Sequence, residues 1–223
     1  MVGKLIVIDG TDGSGKATQT SRLIERFRSE NHKVEEIEFP RYGEKSAGLV
    51  EEYLNGKYGT AEEVGPYRAS VFYAADRYAA SFKIRRWLDE GKIVIANRYV
   101  SSNMGHQAGK IKDEEEREKF LEWLEELEYD IFGIPRPDAN IYLHVPAEIG
   151  QKLVDKKGHR DYVGGEKRDI HEDDLQHLKD ASEAYKYVAE KYDWVIIECS
   201  KEDDILPIEE IHEMVWEKIK EII

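Results

Sequence analysis

The stretch KLIVIDGTDGSGKAT, Lys4 to Thr18, decides the fold. Lys4 to Asp9 is a short, continuous apolar run with no polar alternation. Such a run suits a strand buried on both faces, as in a parallel sheet. Gly10 to Gly15 is a glycine-rich turn. Beyond it, from Thr18 to Phe27, Leu23, Ile24 and Phe27 recur at helical spacing. Strand, glycine loop and helix in that order open a βαβ unit.

The same alternation continues down the chain. Further strands are predicted at 34–39, stopped by Pro40, and at 92–96, introduced by Gly91. Two more follow at 139–144, after Pro135 and Pro137, and at 194–198. Helical patterns occupy 46–54, 65–88, 113–129, 147–154, 175–192 and 208–222, with Pro66 suited to a first helical turn. The 113–129 segment carries nine acids and two bases, with Phe120, Trp123, Leu124 and Leu127 on one face, and its charge reads as a solvated surface. Residues 155–168 hold three glycines and little apolar content, and read as a mobile loop. The expected architecture is one domain over 1–223. It is an α/β three-layer sandwich with a five-stranded, mostly parallel sheet.

Composition bounds the function. With 40% hydrophobic residues, the 223-residue chain can build an ordinary core, and disorder is excluded. A net charge of −14 disfavours duplex nucleic acid and anionic membranes as partners. No segment approaches 18 consecutive apolar residues, so no membrane span is expected. The apolar run near the N-terminus is too short for a signal peptide. Cys199 is the single cysteine, so neither an intrachain disulfide nor a CxxC metal site can form. These features predict a cytoplasmic protein.

Gly10 to Lys16 fits GxxxxGK. Glycines let backbone N–H groups converge on phosphate oxygens, the following helix adds its dipole, and Lys16 adds a full charge. Its place between a buried strand and a helix strengthens the phosphate-binding reading. One position departs from the pattern. The residue after the lysine is ordinarily Ser or Thr, whose hydroxyl ligates Mg²⁺, and here it is Ala17. Thr18 follows, on another side of the helix.

Basic groups gather at other strand ends. Phe39-Pro-Arg41-Tyr42 closes the second strand, and Asn97-Arg98-Tyr99 the third, running on through Ser102, Asn103, His106 and Gln107. Tyr73, Asp76 and Arg77 lie on the long helix. Lys156, Lys157, Arg160, Lys167 and Arg168 lie in the 155–168 loop. In open α/β sheets ligands bind at the carboxyl ends of strands, so the loop, Arg41 and Arg98 can converge on phosphoryl groups. Tyr73 also reads as a core residue, and Arg77 as the partner of an acid on its own helix.

At these residues the chain resembles the thymidylate kinase family, over essentially its whole length. The resemblance rests on GTDGSGK, FPRYG, YAADR, NRYVSSN, IPRPD and RDIHE, in the family's order. It implies the P-loop nucleoside-monophosphate kinase fold with a lid, usually a homodimer, with ATP and Mg²⁺ used to phosphorylate dTMP. Gly10, Thr11, Gly13, Ser14, Gly15, Lys16, Ala17 and Thr18 would then hold ATP phosphates. Asp12 would contact the monophosphate's 3′-hydroxyl, and Arg98 and Tyr42, with Arg41 near, its phosphate. Tyr73 would stack on thymine, Arg77 hydrogen-bond the base, Asn103 read its edge, and His106 crowd the sugar C2′. Phe39, Ser102 and Gln107 complete the dTMP side. Lys16, Arg98 and Asp12 would be catalytic. Gly13 stands where part of the family places a loop arginine, so the lid would supply it, from Arg160 in preference to Arg168.

Asn97 replaces the aspartate of the family's Asp-Arg-Tyr/His motif, which helps organise Mg²⁺. With Ala17, both departures fall on one metal, and they imply an ion held by phosphates and water. On this basis alone, Asn97→Asp should raise Mg²⁺ affinity. A kinase for another pyrimidine nucleotide such as dUMP, or a catalytically weakened nucleotide-binding regulator, remain the alternative readings.

Overall fold

Leu5, Ile6, Val7 and Ile8 have no exposed surface at all. They form the middle of β1 (Lys4–Asp9), and every other layer is arranged around that strand. The structure is a computed structural model that describes residues 3–157, 175–202 and 204–223. Its main sheet has five strands in the order β2 (Val34–Glu38), β3 (Ile93–Asn97), β1, β4 (Ala139–His144) and β5 (Val195–Glu198). All four pairings are parallel.

Alternation along the strands sorts the core into two halves. Ile6 and Ile8, with Ile93, Ile95, Ile141 and Leu143, pack under α1 (Lys16–Ser29) and α8 (Ile208–Ile219). Leu5, Val7, Val94 and Ala96 face the opposite layer. That layer holds α3 (Ala61–Asp89), α4 (Val100–His106), α5 (Glu114–Glu125) and α7 (Leu175–Lys191). The short α2 (Gly48–Leu54) packs Val50, Tyr53 and Leu54 against the start of α3. Each Leu or Ile fully buried this way stabilises the fold by about 1.5–3 kcal/mol.

The expected elements are present, with physical adjustments at their ends. Helix α3 begins four residues early, because Thr60 and Glu63 form a reciprocal capping box, and it kinks at Gly65, where φ is 74°. Pro66 then opens the straight segment. Helix α6 runs from Ala147 to Lys157, so the first three residues of the expected 155–168 loop continue a helix instead. The remainder of that loop, with Arg160, Lys167 and Arg168, lies outside the described residues. Two elements had no counterpart in the sequence reading: α4, and the small hairpin of β6 (Ser200–Lys201) with β7 (Asp204–Ile205).

The reading of the acidic 113–129 segment needs correcting. Asp113 caps α5 by accepting from the Glu116 N–H at 2.9 Å, and the acids of its first turn suit the helix dipole. The segment ends in a π turn, Glu126–Ile131, and Glu128 within it is completely buried. Glu128 receives the Arg77 guanidinium, with Nε at 2.8 Å from Oε2 and 3.1 Å from Oε1, and Nη2 on Oε1. Burial alone would favour neutral Arg77, but the facing Glu128 carboxylate outweighs it and holds the guanidinium charged, above its ordinary pKa. The 120, 124, 128 spacing had placed Glu128 on the face of Phe120 and Leu124, and the surrounding acids disguised it.

Removing one member of a buried ion pair strands the other, at about 3–5 kcal/mol. Glu128→Ala should therefore lose that much unfolding free energy in urea titrations, whereas Glu126→Ala, two residues back on the exposed side, should lose almost none. Equal effects would contradict the pairing.

Candidate active site

The loop from β1 to α1 is shaped for an anion. Gly15 caps α1 with φ at 87°, no side chain caps that end, and the first turn holds no acid. Its N–H groups and dipole therefore face the loop uncompensated. Gly13 takes φ 81°, and a Cβ there would lie 2.2 Å from the Gly150 carbonyl of α6. No side chain, arginine included, fits position 13 without moving α6. The Lys16 side chain is 8% exposed and its ammonium curls over the loop, donating to the Gly10 and Thr11 carbonyls at 2.9 and 2.8 Å. The Thr11 and Ser14 hydroxyls are buried and without a hydrogen-bond partner among the described residues.

Just before the loop, the Asp9 carboxylate is entirely buried and accepts from several donors. Its own neighbour Gly10 donates its N–H at 2.8 Å, Ser101 its hydroxyl at 2.5 Å, Ser102 at 2.8 Å and Tyr185 of α7 at 2.8 Å. Tyr185 stacks flat on Tyr142, with ring centroids 5.1 Å apart, and presses its edge on α4 where only Gly105 leaves room.

Arg98 follows β3 in a left-handed conformation, φ 68°, with its N–H on the Ile8 carbonyl at 3.0 Å. That turn aims its side chain back across the loop. Nη2 donates to Asp12 Oδ1 at 2.5 Å, and Nη1 lies 3.1 Å from His106 Nε2. Burial works against the charged form, but Asp12, Tyr185 and Asp9 outweigh it, and Arg98 stays charged well above its usual pKa. A cation held charged beside a phosphate-binding loop is placed to take a second phosphoryl group.

Comparison with known proteins agrees with this geometry. A thymidylate kinase family model matches residues 8–215. The chain is 32% identical over 173 residues to the thymidylate kinase of Mycobacterium tuberculosis, covering 77% of this chain and 79% of that protein. To the human thymidylate kinase it is 27% identical over 164 residues, covering 73% and 70%. A solved thymidylate kinase of Candida albicans superposes with a TM-score of 0.73 at 23% identity, over 98% of this chain and 91% of that one, a likeness of fold. This chain belongs to the thymidylate kinase family. It is accordingly a nucleoside-monophosphate kinase.

The site residues expected from the sequence fall into three groups in this structure. Asp12, Lys16, Arg98, His106 and Ser102 form one connected cluster with Asp9 and Tyr185. Arg41 forms a second centre. Its Nε and Nη2 hold Asp76 Oδ1 at 3.0 and 2.9 Å, and Ser46 joins the same carboxylate at 2.7 Å. Tyr42 beside it is exposed. The third group lies between α2, α3 and α4. Tyr73 packs edge-on against Tyr53 there, and Asn103 donates to the Ser70 carbonyl at 3.3 Å. Gln107 is buried and accepts from Lys110 at 2.8 Å. Phe39 is 3% exposed with its ring against Tyr99, so the structure makes it a core residue of the strand end. Arg77 is buried on Glu128 and the Tyr99 carbonyl. Of its five N–H groups, two remain uncommitted among the described residues.

Sequence reasoning missed Asp9, Glu128 and Tyr185, and named Asp76 without giving it a role. An acid closing an apolar strand, as Asp9 does, is a usable signal. An acid and a base at core positions of two helices, as Glu128 and Arg77 are, is another. Tyr185 gave none, since its contact is made by the fold. Asp9→Asn replaces a charged acceptor by an amide that must present N–H to one of these donors. It should cost about 1.5–3 kcal/mol in chemical unfolding and weaken ATP binding in calorimetry. Unchanged stability would show that Asp9 does not organise the loop.

Proposed function

We propose that this chain transfers the γ-phosphoryl group of ATP to dTMP, giving ADP and dTDP. The observation that carries this reading is the Arg98–Asp12 contact, a charged arginine from the end of β3 resting on the phosphate loop's own carboxylate. A protein that only senses ATP has no use for acceptor-side arginines, and a phosphoryl acceptor requires them.

The acceptor is a phosphate monoester with a second pKa near ~6, so at pH 7 it is largely a dianion. No general base is needed. The residues align two anions and offset their charge. The loop N–H groups and Lys16 hold the ATP phosphates. Arg98 exchanges Asp12 for the dTMP phosphate, which frees the Asp12 carboxylate for the 3′-hydroxyl. Arg41, fixed by Asp76, adds charge on the same side, with Tyr42. Tyr73, Asn103 and the two remaining N–H groups of Arg77 meet the base, His106 faces the sugar, and Ser102 and Gln107 support this wall. Arg160, or Arg168, brings the last positive charge from the lid. Mg²⁺, when bound, neutralises part of the ATP charge and orients its phosphates. Closure of the lid excludes water that would otherwise hydrolyse ATP.

An assay with ATP, Mg²⁺ and dTMP, with dUMP, CMP and AMP in parallel, tests the reading directly. Preferential dTDP formation is expected. Well-folded protein that makes none would refute it. One methyl group separates dTMP from dUMP and is worth about 1–3 kcal/mol, so dUMP should turn over roughly 10- to 200-fold less efficiently. Lys16→Ala and Arg98→Ala should each reduce kcat at least ~100-fold, as losing a charge-stabilising donor does. Arg98→Ala should also raise the KM for dTMP but not for ATP. A change confined to the ATP KM would move Arg98 to the donor side.

We further infer a homodimer sealed by α3. Tyr67, Val71, Tyr78 and Phe82 are all exposed, Phe82 at 60%, and their spacing places them along one side of the helix. A stripe of this kind marks an association surface. Phe82→Glu should convert the wild-type dimer to monomer in sedimentation, and a monomeric wild type would overturn the inference. No described helix is long and apolar enough to cross a membrane. A cytoplasmic location, with neither membrane nor nucleic acid as partner, accords with the acidic surface.

A further inference from the structure

Asn97 ends β3 directly opposite Glu38, the last residue of β2. Its side chain is buried, at 5% exposure. The Asn97 amide donates to Glu38 Oε1 at 2.9 Å, while its own Oδ1 is buried and has no hydrogen-bond partner among the described residues. A buried, unpaired acceptor is costly unless something else completes it. The Glu38 carboxylate is exposed and has no Lys or Arg paired with it among the described residues.

Strand alternation says which side of the sheet this pair occupies. Asn97 lies in register with Ile8 and on the face of Ile93 and Ile95, the face covered by α1. Asp9, one residue along β1, points to the opposite face. The pair therefore sits at the carboxyl end of the sheet on the side where α1 begins, at Lys16 and Ala17. Adjacent strands run ~4.8 Å apart. Glutamate's extra methylene lets an anion rooted on β2 reach the head group rooted on β3, as the 2.9 Å bond records.

We propose that Glu38 and Asn97 together form the protein's contribution to the Mg²⁺ site, with Glu38 supplying the negative charge that position 97 lacks. Asn97 is then a holder for the Glu38 carboxylate and, through Oδ1, a neutral oxygen donor toward the metal or one of its waters. The orphaned Oδ1 and the unpaired carboxylate are both oxygen groups, the ligand type Mg²⁺ requires, and one or two such groups beside substrate phosphates is its usual mode of binding. Among the described residues, no cluster of three or more His, Cys, Asp or Glu could hold a metal without the nucleotide. The pairing also changes the expected effect of Asn97→Asp. That exchange alone sets two carboxylates face to face, and it cannot act as a simple gain of a ligand.

The assignment rests on nucleotide binding by the loop but not on the identity of the acceptor, and its test is chosen accordingly. Mn²⁺, a spin-active substitute for Mg²⁺, is titrated into the protein–ADP complex and free ion is read by electron paramagnetic resonance. Glu38→Gln should weaken Mn²⁺ binding at least ~10-fold, the lower range for losing a metal's supporting groups, with ADP affinity in metal-free buffer unchanged. The exchange Glu38→Gln with Asn97→Asp restores one amide and one carboxylate in swapped places. It should recover most of the lost affinity and exceed Asn97→Asp alone. Wild-type Mn²⁺ affinity in Glu38→Gln, or a double variant no better than Glu38→Gln, would overturn the proposal. Failure of wild-type protein to phosphorylate dTMP would leave this titration readable and count only against the acceptor assignment.

Discussion

One buried carboxylate organises the catalytic end of this molecule. Asp9 has no exposed surface, and its donors come from the phosphate loop, the start of α4 and α7. A buried charge without such partners would be prohibitive. Satisfying it therefore forces three separate segments to one point. The Gly10 N–H fixes how the chain leaves β1, and that exit sets the course of the loop. The two serines fix the start of α4, and thereby the direction from which His106 meets Arg98. Tyr185 ties α7 to both, and Gly105 is small where the Tyr185 ring must lie against α4.

Three carboxylate–guanidinium pairs work by the same logic. Asp76 holds Arg41, Glu128 holds Arg77, and Asp12 holds Arg98. In every case a carboxylate outweighs or offsets the cost of bringing a guanidinium out of water and fixes its plane. The difference lies in exposure. Arg77 is sealed with Glu128, whereas the Arg98 and Asp12 side chains are about a fifth to a quarter exposed. A sealed pair keeps its partner, and Arg77 has only its two uncommitted N–H groups to offer. A partly open pair can exchange partners, which is what acceptor binding demands of Arg98.

The fold was legible because its signals are local. A continuous apolar run, a glycine turn and a helical repeat at 4–27 imply a parallel sheet, and the next three strands are each flanked by Gly or Pro. The loop and the strand-end arginines were legible for the same reason. What escaped depends on contacts distant in sequence. α4 is only seven residues long and its polar face points inward to Asp9, so its composition mimics a loop. Glu128 was hidden among nine acids, although its spacing from Phe120 and Leu124 marked it as a core position. The Asn97–Glu38 pair was half visible. The substitution at 97 showed in the sequence, but the compensating acid is 59 residues away and meets it only through strand register.

Register also explains how the molecule keeps two phosphoryl groups distinct. Ile8 and Asp9 are consecutive, so their side chains leave β1 on opposite faces. On the Asp9 face stand α7 and, with most of the groups proposed for the dTMP base and sugar, α3 and α4. On the Ile8 face stands α1, with Lys16 at its head and the Asn97–Glu38 pair beneath it. In the proposed reaction, donor and acceptor groups are thus built on two sides of a single strand end, and Arg98 crosses between them because its left-handed turn redirects the chain just after β3. In-line transfer needs two anions to approach along one axis from opposite directions. A strand whose last two side chains diverge provides that arrangement, provided the carboxylate on one side is neutralised by donors from the protein. Asp9 meets that condition, and the separation of the two halves of the site follows from it.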